Sequence, residues 1–266
     1  MPVAKLDDAE LHFEDRGTGD PLLLIAGIPA IADDWSALAL PLSQSRRVIA
    51  YDNRGSGRST VTAGPYTTRG LAADAVALLD RLDIERADVF GMSMGGMIAQ
   101  ELALGWPTRV RRLILGCTHA GVAHAARQPR EAALAFAMQT DDWSLRMRTL
   151  APFAFARTVD PAVLQAFIEK KSADVQDPAG YAAQIAAVLT HDAADRLAQI
   201  AAPTLVVTGD DDQVIPGQSS ELLVERIADS RLRVLAGAGH LFFIEQPRET
   251  LALLDAFLAE STDASA

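Results

Sequence analysis

The chain has 266 residues, of which 49% are hydrophobic and 22% charged, and this composition excludes disorder, collagen and coiled coil as descriptions of the whole chain. That length suits one large α/β domain or two small ones. The formal net charge of −11 argues against nucleic acid and anionic membranes as partners, because both attract lysine and arginine.

Strand and helix patterns alternate through the first half of the chain. Apolar or alternating runs predict strands at 10–14, 22–27, 47–51, 87–91 and 112–117. Helical spacing of apolar residues predicts helices at 33–42, 67–82 and 94–104. Strands that alternate with helices form a mostly parallel sheet with helices on both faces. The sequence therefore predicts the α/β class.

The pattern changes at residue 119 and changes back near residue 200. The stretch 119–199 shows helix signals and no buried strand, whereas strand patterns resume at 202–209 and 231–235, before a closing helix at 245–259. We therefore divide the chain into a first core segment (1–118), a helical lid insertion (119–199) and a second core segment (200–266). The last seven residues, 260–266, are expected to form a frayed tail.

The strongest single motif is G-M-S-M-G-G at 91–96, between a predicted strand and a predicted apolar helix. On such a sharp corner a serine is held with its hydroxyl exposed above the edge of the sheet, which makes Ser93 a candidate nucleophile. Gly91 and Gly95 are then needed because a Cβ would clash where strand and helix pack closely. The alternative is an ordinary glycine-rich turn.

A serine nucleophile needs a base, and the base needs an orienting acid. The best candidate base is His240, which follows a predicted strand at the glycine-rich turn G-A-G-H. His119 also follows a strand and is a candidate for the wall of a pocket. The other three histidines are expected at the surface: His12, His124 and His191. For the acid, the run Asp210–Asp212 offers three adjacent carboxylates, and pattern alone does not choose among them.

Five segments in order resemble the α/β-hydrolase family over essentially the whole chain: P-L-L-L-I with A-G-I-P, D-N-R-G-S-G-R-S, G-M-S-M-G-G, G-D-D-D-Q-V-I-P, and G-A-G-H-L-F-F-I-E-Q-P. The resemblance implies an α/β-hydrolase fold and a catalytic triad of Ser93, Asp212 and His240, with the acid at the fourth position of G-x-x-D-x-x-x-P. It also implies an oxyanion hole formed by the backbone N–H groups of Ile28 and Met94.

Two features qualify this resemblance. Ala26-Gly27 stands where a common family pattern has His-Gly, but backbone donors do not need that side chain. The loop D-N-R-G-S-G-R-S at 52–59 is interpreted as structural, with Asp52 and Arg54 hydrogen-bonded locally, because it lacks the ending of a phosphate-binding loop.

A substrate pocket is expected beneath the insertion. Its aromatic side chains either roof the nucleophile or form the small core of the insertion itself: Trp143, Phe136, Phe153 and Phe155. Glu245 is expected to stabilise the first turn of the last helix.

The chain is expected to need no cofactor or metal. The only cysteine, Cys117, excludes an internal disulfide and a thiolate cluster, and it is interpreted as an inert buried thiol. Because the N-terminus lacks an apolar leader and no apolar run is long enough to span a bilayer, we expect a cytoplasmic protein. The sequence makes no prediction of oligomeric state.

Within the family, the stretch from G-P-Y-T through G-M-S-M-G-G-M-I-A-Q resembles 3-oxoadipate enol-lactonases and related small carboxylic-ester hydrolases. This implies a serine hydrolase that acts on a small-molecule ester or lactone. Carbon–carbon bond hydrolases and cofactor-free perhydrolases or haloperoxidases share the scaffold and remain alternatives. A lyase or decarboxylase, or a ligand receptor with a hydrolase fold, is an alternative of another class.

Overall fold

A computed structural model describes residues 2–138, 140–174 and 176–261. Of the predicted frayed tail, residues 262–266 lie outside the described part of the chain.

The centre of the molecule is an eight-stranded sheet in the order β1-β2-β4-β3-β5-β6-β7-β8. Its strands are β1 Val3–Lys5, β2 Glu10–Arg16, β3 Pro21–Ile25, β4 Arg47–Tyr51, β5 Ala87–Met92, β6 Val110–Gly116, β7 Thr204–Gly209 and β8 Ser230–Leu235. Strands β1 and β2 pair antiparallel, as do β2 and β4, and the remaining neighbours are parallel. The prediction of a mostly parallel α/β sheet is confirmed.

Helices cover both faces of this sheet. They are α1 Ser36–Leu42, α2 Thr68–Arg81, α3 Met94–Gly105, α4 Arg130–Phe136, α5 Trp143–Ala154, α6 Pro161–Ala173, α7 Pro178–Thr190, α8 Glu221–Arg226, α9 Phe242–Glu245 and α10 Pro247–Leu258. Helices α4 to α7 all lie between β6 and β7, where the sequence predicts a helical insertion. In the described part of the chain no helix has the length and apolar character needed to cross a bilayer.

The alternation of side chains along β3 shows why two helical layers form. Leu23 and Ile25 belong to one buried cluster, which they share with α2 and α3. Leu22 and Leu24 belong to the other, with α1, α9 and α10. Successive residues of a strand point to opposite faces, so a continuous apolar run requires cover on both.

Some boundaries differ from the predictions. The first helix begins at Ser36 and not at Asp33, because Ala32–Trp35 form a separate 3-10 turn. The closing helix α10 begins at Pro247 and not at Glu245, which ends the separate short helix α9; Pro247 has no N–H and stands where proline is favoured at the start of a helix. The short elements β1 and α8 were not predicted from the sequence.

The two ends of the insertion meet at a narrow neck. Gly121 and Asp192 form an isolated antiparallel bridge, and the N–H of Ala193 donates to the carbonyl of Ala120 at 2.7 Å. The chain therefore leaves and rejoins the sheet at one place.

Candidate active site

Ser93 lies at the sharp turn between β5 and α3. Its φ of +57° and ψ of −119° put a non-glycine residue in a sparsely populated conformation, which the surrounding structure must hold. The close approach of strand and helix explains the flanking glycines. A Cβ on Gly91 would lie 2.1 Å from the carbonyl oxygen of Gly95, and one on Gly95 would lie 2.0 Å from that of Ile25.

A buried acid–histidine pair lies at the carboxyl ends of the two neighbouring strands. Asp212 follows β7 and His240 follows β8, and Oδ2 of Asp212 is 2.8 Å from Nδ1 of His240. The other carboxylate oxygen of Asp212 accepts the N–H groups of Val214 and Ile215 at 2.8 and 2.9 Å. The carboxylate is thus fixed on one side by backbone and presents its free oxygen to the imidazole.

The neighbouring acids have other partners. Asp210 accepts the N–H of Gly237 at 2.7 Å, and Asp211 is paired with Arg157. Of the three adjacent carboxylates, the structure therefore brings Asp212 to His240.

The loop after β3 covers Ser93. A Cβ on Gly27 would lie 2.9 Å from the Cβ of Ser93, and Ile28 lines the same cavity as the serine. Met94 is the first residue of α3, so its N–H is among those with no acceptor inside the helix. These two residues are the predicted oxyanion donors, and the structure places both beside Ser93.

The loop 52–59 is hydrogen-bonded to the loop after β3 that covers Ser93. The amide of buried Asn53 donates to the carbonyl of Ala26 at 2.9 Å, and buried Asp52 accepts the N–H groups of Ala32 and Arg58. Sequence reasoning assigned this loop a structural role but missed its direct connection to the oxyanion loop.

The cavity at Ser93 is small and mostly apolar. Its volume is about 40 Å³, little more than the share of one water molecule in the liquid. It is lined by Ala26, Gly27, Ile28, Ala30, Asp34, Trp35, Met92, Ser93, His240, Leu241 and Phe243. This volume is far below the roughly 300–1,000 Å³ of a typical small-molecule site.

Asp34 brings charge to the wall of this cavity. Its carboxylate contacts the ammonium groups of Lys170 at 2.6 Å and Lys171 at 2.9 Å, and accepts the N–H of Ile31. Burial by itself raises the pKa of Asp34, but the lysines and the backbone donor outweigh it and hold this pKa below its usual value. These contacts tie α6 of the insertion to the cavity wall, and the local sequence pattern does not indicate them.

Comparison with known proteins agrees with this geometry. The family described as "alpha/beta hydrolase fold" matches residues 20–247. The chain belongs to the α/β-hydrolase family. It is 35% identical to a 2-hydroxymuconate semialdehyde hydrolase of a Pseudomonas species (96% of this chain, 92% of the relative), and 34% identical to 3-oxoadipate enol-lactonase 2 of Acinetobacter baylyi (91% and 90%).

A solved structure supports the same assignment. A hydrolase from Pseudomonas aeruginosa superimposes with a TM-score of 0.86 at 33% identity, covering 97% of this chain and 98% of that one. The predicted fold and family are confirmed, and this α/β-hydrolase is a hydrolytic enzyme. The names of the relatives differ in substrate.

The aromatic residues predicted to line a pocket of the α/β-hydrolase do not line the cavity at Ser93. Phe136, Trp143 and Phe153 pack against a small cluster inside the insertion. That cluster is Ala135, Met147 and Leu150. Of the two alternatives, a roof over the nucleophile or a core of the insertion, this packing favours the second for these three rings.

Phe155 and His119 are also outside this cavity. Phe155 is fully buried with its ring 5.0 Å from that of Phe167. His119 is buried, and its Nδ1 accepts the N–H of Gly121 at 3.1 Å. Burial, with the nearby His191, lowers the pKa of His119 to about 4. The structure therefore gives His119 a place in the neck, where it is neutral near pH 7.

Two of the three histidines expected at the surface are not there. His191 is buried, with Nδ1 3.0 Å from the hydroxyl of Thr68, and His12 is half-buried on β2. His124 is exposed, as expected. His191 became buried because the end of α7 returns to the sheet at the neck, a contact that local pattern does not reveal.

His191 predicts acid sensitivity of the fold. Burial lowers its pKa from 6.5 to about 4, although Glu101 and Asp192 oppose this shift and Arg196 adds to it. Between pH 6.5 and 4 the imidazole of His191 is protonated in the unfolded chain but not in the folded one. Its contribution to the free energy of unfolding is therefore complete above pH 6.5 and is lost as the pH falls toward 4. We expect this residue to contribute about 3 kcal/mol to that loss.

Urea unfolding between pH 7.5 and 4.5 checks this. His191→Asn, which cannot titrate, should flatten the decline in the free energy of unfolding relative to the unsubstituted protein, whereas His124→Asn at the exposed histidine should not. An equal decline in the free energy of unfolding of all three proteins would contradict the role of His191 in acid sensitivity.

Glu245 connects the histidine loop to the insertion. One carboxylate oxygen accepts the N–H of Gly239 at 2.8 Å, and the other accepts the N–H of Ala156 at 3.0 Å. The N–H of Leu241 in turn donates to the carbonyl of Ala154 at 2.8 Å. His240 is thus held on both sides along the chain, which makes Glu245 a positioning residue. The prediction that Glu245 stabilises the first turn of the last helix is wrong, because Glu245 ends α9 and α10 begins at Pro247.

Replacing Glu245 by glutamine should misplace His240. The amide NH₂ would face a backbone N–H, so one hydrogen bond to a charged acceptor is lost and kcat/KM should fall by about 10- to 100-fold. KM should change little, since the residue contacts no substrate. Steady-state kinetics with the exposed Glu249→Gln as the matched control checks this, and equal activity of the two variants would refute it.

Proposed function

We propose that this α/β-hydrolase cleaves a small ester or lactone through an acyl-enzyme on Ser93. The observation that carries the proposal is the buried pair of Asp212 and His240, joined at 2.8 Å and opening onto the cavity that contains Ser93. A histidine that is oriented by a carboxylate and lies beside a strained serine is the arrangement needed to activate a hydroxyl.

In the first half of the reaction, His240 accepts the proton of the Ser93 hydroxyl as its oxygen attacks the substrate carbonyl. Asp212 holds the Nδ1–H tautomer and stabilises the imidazolium that forms. The N–H groups of Ile28 and Met94 stabilise the oxyanion. The imidazolium then protonates the leaving oxygen, and Ser93 is left esterified.

In the second half, water replaces the leaving group. His240 takes a proton from the water as it attacks the acyl-enzyme, the same two N–H groups hold the second oxyanion, and the proton returns to Ser93 as the acid departs. For a lactone the leaving oxygen belongs to the same molecule as the acyl group, so the product is one hydroxy or oxo acid.

The insertion, residues 119–199, is proposed to act as a lid. A cavity of about 40 Å³ does not hold a complete ester, so the lid must move before substrate reaches Ser93. The contacts of Asp34 with Lys170 and Lys171 cross between the cavity wall and α6, and we infer that they part during opening.

The walls of the cavity suggest the class of acyl group. They are mostly apolar, and the one carboxylate that is not part of the proposed triad, Asp34, is neutralised by two lysines. A short, uncharged acyl group fits such a wall without leaving a charge unpaired. The relative named an enol-lactonase adds support for a lactone.

Mass spectrometry after treatment with a fluorophosphonate tests this function, together with turnover of short p-nitrophenyl esters, simple lactones and vinylogous diketones. One adduct on Ser93 with ester or lactone turnover would support the proposal. An adduct with turnover of diketones alone would move the reaction to carbon–carbon cleavage. Neither adduct nor turnover would refute the role of Ser93 and favour a lyase or a receptor.

A further inference from the structure

The one cysteine of the chain lies next to the proposed triad. Cys117 is fully buried at the end of β6, and its sulfur, a carboxylate oxygen of Asp212 and a ring nitrogen of His240 all lie within 4.8 Å of one another. The mechanism above makes no use of this thiol. The sequence excludes a site with two thiolates but not one with a thiolate, an imidazole and a carboxylate.

We propose that Cys117, Asp212 and His240 form a binding site for a thiolate-preferring divalent cation such as Zn²⁺ or Cd²⁺, and that the bound cation switches the enzyme off. The inactivation, but not the binding, rests on the proposed function of Ser93. One sulfur, one nitrogen and one oxygen donor make a set that Zn²⁺ accepts, with water in a fourth position.

The backbone fixes these donors in place. The N–H of Cys117 donates to the carbonyl of Val207 at 2.9 Å, and the residue has a left-handed φ of +42°. The carboxylate of Asp212 is anchored through its other oxygen by two backbone N–H groups. Zinc–sulfur and zinc–nitrogen bonds of about 2.3 and 2.1 Å hold tetrahedral donors roughly 3.5 Å apart. The 2.8 Å separation of His240 Nδ1 and Asp212 Oδ2 must therefore widen around the ion, and the sulfur of Cys117 lies within 4.8 Å of both.

An open acidic cleft borders residue Asp212, although the Asp212 side chain itself is fully buried. The volume of the cleft is about 560 Å³. Three further carboxylates line it, and two arginines oppose them: Asp210, Asp211, Glu221, Arg127 and Arg157. The excess of carboxylates concentrates cations at the mouth of the cleft.

The protons displaced by the bound cation explain why it inactivates the enzyme. A cation on Nδ1 of His240 requires the ring proton to move to Nε2, and the thiol of Cys117 releases its proton to solvent. Three metal bonds form, and the hydrogen bond between His240 and Asp212 breaks. Once Nε2 carries a proton, it can no longer accept one from Ser93, so the general base is lost.

Titration with Cd²⁺, followed by thiolate-to-metal charge-transfer absorption, tests the site directly. We expect one Cd²⁺ per chain with this absorption, and the same binding in Ser93→Ala, so the result does not depend on hydrolase activity. Cys117→Ser and Cys117→Ala should lose the absorption and bind at least about tenfold more weakly. His124→Gln, at the exposed histidine, should bind as the unsubstituted protein does.

The effect on activity is measured separately. Zn²⁺ should inhibit ester or lactone turnover reversibly with a chelator, and the cysteine variants, each normalised to its own metal-free rate, should resist inhibition at least about tenfold. Absence of thiolate absorption in the unsubstituted protein overturns the proposal, as does equal metal affinity in the cysteine variants. Inhibition of those variants at the same Zn²⁺ concentration overturns the switch.

Discussion

Ser93→Ala is expected to lower kcat/KM for ester or lactone turnover by at least about 10⁴-fold and to abolish labelling by a fluorophosphonate. Without the hydroxyl there is no acyl-enzyme, and His240 and Asp212 have no nucleophile to activate. What remains is the stabilisation of the oxyanion by the N–H groups of Ile28 and Met94, which acts only on direct attack by water.

The matched control is Ser36→Ala. Ser36 is exposed at the start of α1, and its hydroxyl donates to the carbonyl of Asp33. Ser36 directly follows Asp34 and Trp35, which line the cavity, but does not line the cavity itself. We expect its variant to be labelled and to turn over normally. If both serine variants keep their activity, the acyl-enzyme mechanism is wrong.

Folding stability should change little in Ser93→Ala, in contrast to activity. Ser93 has a positive φ, which is strained for any residue with a Cβ. Alanine keeps the Cβ and therefore the same strain, so the substitution removes only the hydroxyl. Ser93→Ala should therefore unfold at a denaturant concentration close to that of the unsubstituted protein, which separates loss of chemistry from loss of structure.

The parts of the site that the sequence predicts are those set by local geometry. Ser93 and the glycines around it are constrained by one strand–helix corner, and His240 is placed by the end of a strand. Strand ends converge at one edge of a parallel sheet, so the topology alone brings such residues together. Asp212 needed the resemblance to the family, because two neighbouring acids share its local pattern.

The parts that the sequence missed depend on contacts between distant segments. Asp34 meets Lys170 and Lys171 only because α6 packs on the loop after β3, more than 130 residues away along the chain. His191 is buried for a similar reason, since the end of α7 returns to the neck. The aromatic residues Phe136, Trp143 and Phe153 of the insertion show a related limit of the sequence. Helical spacing indicates that their face is buried, but it does not indicate which part of the molecule covers that face.

Cys117 shows why an isolated residue is hard to interpret from sequence. Its neighbours in the chain indicate a buried strand end, and the structure agrees that it is buried, with a pKa raised by burial and by Asp212. Its distance from His240 and Asp212 depends on the order in which β6, β7 and β8 pair. That order is a property of the whole sheet and cannot be inferred from any one strand.

Replacing Asp212 by asparagine should lower kcat/KM by about 10³- to 10⁴-fold with little change in KM. The asparagine amide can present either a donor or an acceptor to Nδ1, and the structure decides between them. Oδ1 is committed to the N–H groups of Val214 and Ile215, so the amide NH₂ must face His240. A donor there favours the tautomer with the proton on Nε2, which cannot accept the proton of Ser93.

The run of three acids supplies its own matched controls. Asp210→Asn and Asp211→Asn remove the same charge within two residues, but these carboxylates bond to Gly237 and Arg157 and not to His240. If general electrostatics stabilised the imidazolium, all three variants would lose activity by similar factors. If the hydrogen bond to Nδ1 selects the tautomer, only Asp212→Asn should lose activity by orders of magnitude, and the other two should stay within a few-fold of the unsubstituted enzyme. A large loss in Asp210→Asn or Asp211→Asn, with Asp212→Asn active, would place the orienting acid elsewhere.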